Sequence, residues 1–227
     1  MARRYDAASR KWHHITRRYG LAAAYRKSLI ASGVAAALEE VGPQSEVLDC
    51  GIGSGALSIA LNSIIADTPN IHGIDLSSKM LARAASEMQL TGLMPDLRQA
   101  DILSMPFADA SFDVVMAAHV IEHLPDPQLA LKEMVRVLKP GGMLLLCTVR
   151  RSAFGVLIQM RWQTWAISES QGIAWLRECH LDDIGFQPVN LGAFAGQAST
   201  AFWARRPGES THIPEIDAAT KTRGIDP

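Results

Sequence analysis

VLDCGIGSGALSIA, from Val47 to Ala60, is the stretch around which the chain is organised. A short apolar run ends in an acid, meets glycines at 51, 53 and 55, and passes straight into a small-residue, apolar helix pattern. Strand, tight turn and helix in that order make a mononucleotide-binding corner. Gly51 and Gly53 let the backbone turn sharply and approach a ligand, and Gly55 lets the helix pack close to the strand. The N–H groups at the start of that helix have no partners within it and can receive an anionic group. Gly51, Gly53 and Ala56 also satisfy the dinucleotide fingerprint, so the loop alone leaves two cofactor classes open.

Outward from this corner, strand and helix patterns alternate. Val47–Cys50 and Gly55–Ala66 are followed by a strand at Ile71–Asp75 and a helix at Ser78–Leu90 capped by Ser77. Further strands are expected at Pro95–Ala100 and Ser111–Ala117. Asp126 with Pro127 opens a helix that ends near Leu138, and Lys139-Pro140-Gly141-Gly142 turns into the strand Met143–Val149. Such alternation predicts an α/β fold, a Rossmann-like parallel sheet with helices on both faces. Beyond Val149, Phe154–Ile167 is bulky and apolar, Leu176–Ile184 reads as a helix stopped by Gly185, and Phe186–Leu191 and Ala198–Arg205 read as two strands antiparallel to each other.

Three acids fall at successive strand ends: Asp49, Asp75 and Asp101. In an open parallel sheet those ends line the binding crevice. A carboxylate after the second strand can accept from a ribose diol, and one after the third from the exocyclic amine of adenine. Together they favour an adenosine-type ligand.

VLDCGIGSG, HGIDLSSKML, QADILSMPFADASFDVV and LKPGG resemble, in order and spacing, the motifs of class I S-adenosylmethionine-dependent methyltransferases. The nearest resemblance is to the methyltransferase type 11-like subgroup of quinone-biosynthesis and natural-product enzymes. It covers Gly42 to Val149 and, more loosely, the two terminal strands. It implies a seven-stranded, mostly parallel sheet with an antiparallel last strand, and S-adenosyl-L-methionine as cofactor, leaving as S-adenosyl-L-homocysteine. By the same resemblance Gly51, Gly53 and Gly55 cradle the methionine part beside Asp49. Asp75 takes the ribose hydroxyls, Leu76 and Met80 flank the adenine, Asp101 accepts from its amine with Ile102 against the ring, and His119 touches the cofactor. A nicotinamide-dependent oxidoreductase is the runner-up on the glycine loop alone, without the substrate domain it needs.

Methyl transfer from a sulfonium requires the nucleophile, carbon and sulfur in line, with water excluded. A base is needed where the acceptor is protonated. Candidates lie in HVIEHLPDP: His119, Glu122 and His123, with His119 suited to deprotonation near neutral pH. Some family members carry E-x-x-E-H there and bind magnesium. This chain has H-x-x-E-H, and a histidine is a poor magnesium ligand, so no metal is expected. The acceptor pocket implied by the family is covered by the N-terminal helices and by the segment after the fifth strand. Trp12 and Tyr19 on one side and Phe154, Trp162 and Trp165 on the other point to a small, largely apolar acceptor.

The bulk properties fit one domain of 227 residues with 48% apolar content. We read residues 1–41 as N-terminal helices or a lid, 42–205 as the core with an apolar cap segment over 151–170, and 206–227 as a loose polar tail. The net charge of −1 hides an asymmetry, because residues 1–27 hold eight cations against one acid. Tyr5, Ala8, Trp12, Ile15 and Tyr19 form one helical face there, with the cations opposite. That segment raises a rival reading, a membrane-surface methyltransferase of a phospholipid or prenylated quinone, docked on anionic lipid. An RNA or protein methyltransferase and a non-catalytic binding protein on the same fold are further rivals. The acidic remainder argues against nucleic acid as a partner. Cys50, Cys147 and Cys179 form no CxxC and read as reduced thiols in a cytoplasmic setting. The oligomeric state is not legible.

Overall fold

The computed structural model describes residues 20–31, 34, 38–151, 165–189 and 199–208. The basic N-terminal helix with Trp12 and Tyr19, the apolar segment with Phe154 and Trp162, and the polar tail from residue 209 lie outside the described residues.

Seven strands form one sheet: β1 (Glu46–Cys50), β2 (Asn70–Asp75), β3 (Asp96–Gln99), β4 (Phe112–Ala118), β5 (Leu138–Val149), β6 (Asp182–Val189) and β7 (Ser199–Arg205). Their order is β3-β2-β1-β4-β5-β7-β6. β1 to β5 run parallel, and β7 inserts between β5 and β6, antiparallel to both. The order reverses between β1 and β4, and the crevice outside the carboxyl ends of those strands is where open α/β sheets bind ligands.

Because side chains alternate across a strand, each central strand feeds two cores. Leu48, Val115, Leu144 and Leu146 point to one face and pack beneath α4 (Pro127–Val137) and α5 (Glu169–Glu178). Val47, Met116, Leu145 and Cys147 point to the other, beneath α1 (Leu21–Ala31) and α2 (Ala56–Asn62). A third cluster seats Ala84 and Met88 of α3 (Ser78–Gln89) on Ile52 and Ile71. The helix starts obey the capping chemistry. Ser77 Oγ accepts from the Met80 N–H at 3.3 Å, and Asp126 Oδ1 accepts from Gln128 N–H at 3.1 Å with Pro127 at the first helical position.

Several boundaries differ from the sequence reading. The helix after Gly20, expected to run from about Leu21 to Glu40, is described over Leu21–Ala31, and Leu38–Glu40 form a turn closed by the Val41 N–H on the Leu38 carbonyl. Lys139–Gly142 are part of β5, not a turn before it. The Gly141 N–H donates to Arg206 O at 2.8 Å and the Arg206 N–H to Gly142 O at 2.9 Å, so chain 64 or more positions away turns a predicted turn into paired strand. The expected helix over Leu176–Ile184 lies earlier, at Glu169–Glu178, where Ser168 Oγ accepts from the Gln171 N–H. It stops at Cys179, followed by His180 with φ 57°, and Gly185 falls inside β6. There a Cβ would lie 2.2 Å from the Trp203 ring. Gly185 thus makes room for a cross-strand indole and has no part in ending the helix.

Candidate active site

The loop after β1 holds three left-handed glycines, with φ of 69° at Gly51, 56° at Gly53 and 78° at Gly55. A Cβ on Gly51 would come within 2.4 Å of Val120, and one on Gly55 within 2.7 Å of Met88. These two glycines therefore permit close approach of the β4 end and of α3. Gly53 differs, because a Cβ there would meet nothing nearer than the Gly51 carbonyl at 3.9 Å. It faces open space, as a backbone meant to meet a ligand should. Gly55 occupies the N-cap of α2 and has no side chain to cap it.

Asp75, the last residue of β2, ties this loop to its neighbour strand. Oδ2 accepts from the Gly53 N–H at 3.0 Å and Oδ1 from the Ser77 N–H at 2.8 Å. Asp101 is exposed, and its Oδ1 accepts from the Leu103 N–H at 3.0 Å. Met80 and Ile102 are buried, whereas Leu76 is half-buried at the same crevice edge. Loop, Asp75, Leu76 and Asp101 are thus brought to one edge of the sheet, with Met80 and Ile102 as its floor.

Asp49 stands apart. It points to the α2 face, is 1% exposed, and its Oδ2 accepts a 2.6 Å hydrogen bond from Ser58 Oγ. Burial raises its carboxyl from 3.8 to about 7; the Ser58 hydroxyl pulls the other way and the Asp75 charge adds to the rise.

At the end of β4 a second cluster assembles. His119 has φ 58°, unusual for a residue with a Cβ, and its N–H donates to Cys147 O at 2.7 Å. Its Nδ1 lies 3.0 Å from Oε1 of Glu122, which sits on the 3-10 turn Ile121–His123. Its Nε2 lies 3.4 Å from Ser199 Oγ and 3.8 Å from Cys147 Sγ. Tyr25 of α1 faces the ring, with centroids 6.4 Å apart. Burial pushes the Tyr25 phenol well up, helped by Cys147, Glu122 and Asp49. Glu122 is 0% exposed; its Oε1 also accepts from the Val149 N–H at 3.0 Å. Glu122 Oε2 is the one fully buried carboxylate oxygen among the described residues without a hydrogen-bond partner. The Trp165 backbone N–H donates to the Glu122 carbonyl at 3.0 Å, and Trp165 is 66% exposed. The His123 N–H closes the turn on Val120 O at 3.0 Å.

Among the described residues no group of three or more His, Cys, Asp or Glu side chains is arranged to hold a metal ion. Tyr25, Ser58, Cys147 and Ser199 were not legible as site residues. Ser58 alone left a trace, as a polar residue on the buried face of an apolar helix, whereas the others meet His119 only through the sheet order.

Residues 48–146 match the family model described as a methyltransferase domain. Over these residues the chain is similar to methyltransferases. Over 147 residues it is 31% identical to a demethylmenaquinone methyltransferase of Desulfitobacterium hafniense, an alignment covering 64% of this chain and 54% of that protein. The chain spans about half the length of the curated relatives it matches. Among solved structures, a SAM-dependent methyltransferase of Thermotoga maritima, described as a possible histamine N-methyltransferase, aligns with a TM-score of 0.68 at 17% identity. That alignment covers 91% of this chain and all of the other. The geranyl diphosphate C-methyltransferase of Streptomyces coelicolor, solved with S-adenosyl-L-homocysteine, aligns with a TM-score of 0.62 at 15% identity, covering 74% and 75%. At these identities the structural likeness speaks for the fold.

Proposed function

We propose that this protein transfers a methyl group from S-adenosyl-L-methionine to a small, largely apolar acceptor, with a quinone-like ring as the best candidate class. The observation that carries the reading is the open left-handed loop at Gly53, pinned by Asp75 at the carboxyl edge of the sheet where its order reverses. The residues fit the cofactor. Gly53 leaves space for the methionine part, Asp75 places a carboxylate at the end of β2 where ribose hydroxyls would lie, and Asp101 is exposed beside Ile102 for the adenine amine. Leu76 and Met80 supply apolar contact to the ring.

Bound there, the cofactor supplies a methyl group on a positively charged sulfur with a good leaving group. The protein's part is then to hold the acceptor in line and keep water out. His119, Glu122 and the exposed Trp165 stand where the acceptor would enter, at the ends of β4 and β5. The quinone class is supported by the names of the relatives and by the exposed Trp165 indole. Calorimetry with S-adenosyl-L-methionine and with nicotinamide dinucleotides tests the cofactor. Nicotinamide binding without adenosylmethionine binding would sink the reading. A screen of metabolite extracts with labelled S-adenosylmethionine, followed by mass identification of the product, tests the acceptor class. A labelled polar product in place of an apolar one would overturn it.

A further inference from the structure

The space beneath α1 lies outside the cofactor cradle, over β5 and β7 and so across β4 from the glycine loop. Tyr25, Ser28 and Leu29 of α1 meet Cys147 of β5 and Trp203 of β7 around a cavity that Leu57 of α2 helps to close. Its walls are almost wholly apolar, and Ser28 brings a hydroxyl to them. Ser28 is 6% exposed and its Oγ has no hydrogen-bond partner, not even the carbonyl one turn back that a serine inside a helix can take. Among the described residues Ser28, Thr148 and Thr200 carry buried hydroxyls without a partner, and of these only Ser28 lines the cavity. A buried hydroxyl is costly to leave unpaired, which marks Ser28 as a contact for a ligand. The space measures about 20 Å³. A water held there would find few of the about two to four polar partners it needs, so the walls suit an apolar occupant better.

Two of the lining residues also surround His119. The Tyr25 ring has its centroid 6.4 Å from that of His119, and Cys147 Sγ lies 3.8 Å from the His119 Nε2. The cavity therefore adjoins the end of β4, where the acceptor would enter. We propose that the space between α1 and the β5–β7 pair receives the apolar part of the methyl acceptor, and that the Ser28 hydroxyl reads one hydroxyl or carbonyl oxygen carried on it. The proposal rests on the methyltransferase reading and adds to it a specificity-determining residue. A helix packed over a void forfeits dispersion contacts along the gap, so α1 lifts from the sheet more readily than a fully packed helix. That lift admits a ring or a short chain, whose burial restores the missing contacts. Selection then follows from the walls and the hydroxyl together. A charged group is rejected by the apolar lining, a pure hydrocarbon leaves Ser28 Oγ unpaired, and an apolar group with one suitably placed oxygen satisfies both.

The test uses the full chain without cofactor and two probes of nearly equal shape, benzyl alcohol and toluene, titrated by NMR. Wild-type protein should bind both. Ser28→Ala keeps the space and removes the hydroxyl, so it should bind benzyl alcohol about five- to tenfold more weakly and toluene no more weakly than the wild type. Ser28→Leu fills the space with a good helix former, and should melt at or above the wild-type temperature while losing both probes. Bound benzyl alcohol should also shift the ring signals of His119, assigned with His119→Asn. A wild type that binds neither probe, or an equal loss of both in Ser28→Ala, overturns the proposal. Binding that survives Ser28→Leu, or that leaves the His119 signals unmoved, puts the probes elsewhere and overturns it as well. These readouts need no cofactor. Failure of the calorimetric test with S-adenosyl-L-methionine, with the probes behaving as expected, would leave the Ser28 site standing and remove the methyltransferase reading alone.

Discussion

Replacing Asp49 by asparagine should stabilise the folded protein at alkaline pH while weakening its cofactor site. The carboxyl is buried against α2 and its pKa rises from 3.8 to about 7 in the folded state, chiefly because burial disfavours the charge. The sign follows from linkage. Below the unfolded value both states are protonated and nothing is lost; as pH rises toward 7 the unfolded state releases its proton first, so stability falls. Above about 7 the folded state carries the full penalty, about 1.4 kcal/mol for each pH unit separating the folded from the unfolded value, or about 4 kcal/mol in all. Asparagine keeps the hydrogen bond to Ser58 Oγ and has no proton to lose. At this chain length about 4 kcal/mol corresponds to a Tm difference of about 8–16 °C. Thermal melts of the wild type and Asp49→Asn from about pH 4.5 to pH 8.5 read it directly. The two melting curves should converge at the acid end and separate as pH rises. A difference that does not change with pH would refute the reasoning. The same variant should bind S-adenosyl-L-methionine more weakly by calorimetry, since a removable charge kept beside the loop at such cost is there to meet a cation.

Three further outcomes are expected. Asp75→Ala removes the acceptor for the Gly53 and Ser77 N–H groups and should weaken S-adenosyl-L-methionine binding tenfold or more by calorimetry, about 1.4 kcal/mol. Gly51→Val must force a β-branched side chain into a left-handed φ and against Val120, so it should lower stability by about 2–4 kcal/mol in denaturant titrations. Met134→Ala, in the core under the sheet, should cost about 2–5 kcal/mol by the same assay and leave cofactor affinity per folded molecule unchanged.

The order of elements and the glycine loop at the carboxyl edge of the sheet were legible because they rest on local chemistry. An apolar run, an acid and glycines needing positive φ specify β1 and its loop, Ser77 and Asp126 specify two helix starts, and Asp75 follows its strand directly. No contact beyond a few residues is required to read them. Gly141 and Gly185 were misread as a turn and a stop, since a glycine alone does not say which element it serves. Gly141 takes a left-handed φ of 78° within strand because it pairs with Arg206, and Gly185 makes room for the Trp203 ring, partners that come from elsewhere in the chain. His119 and Glu122 were legible as candidates by type and spacing, but not their relation. Around His119 stand Cys147, Tyr25 and Ser199, which arrive from β5, α1 and β7. Local sequence therefore determined the glycine loop and the acids at the carboxyl edge of the sheet. Only the tertiary structure decided that the histidine beside it is buried against a carboxylate, because burial and partners at that point are properties of the sheet order and of no single stretch.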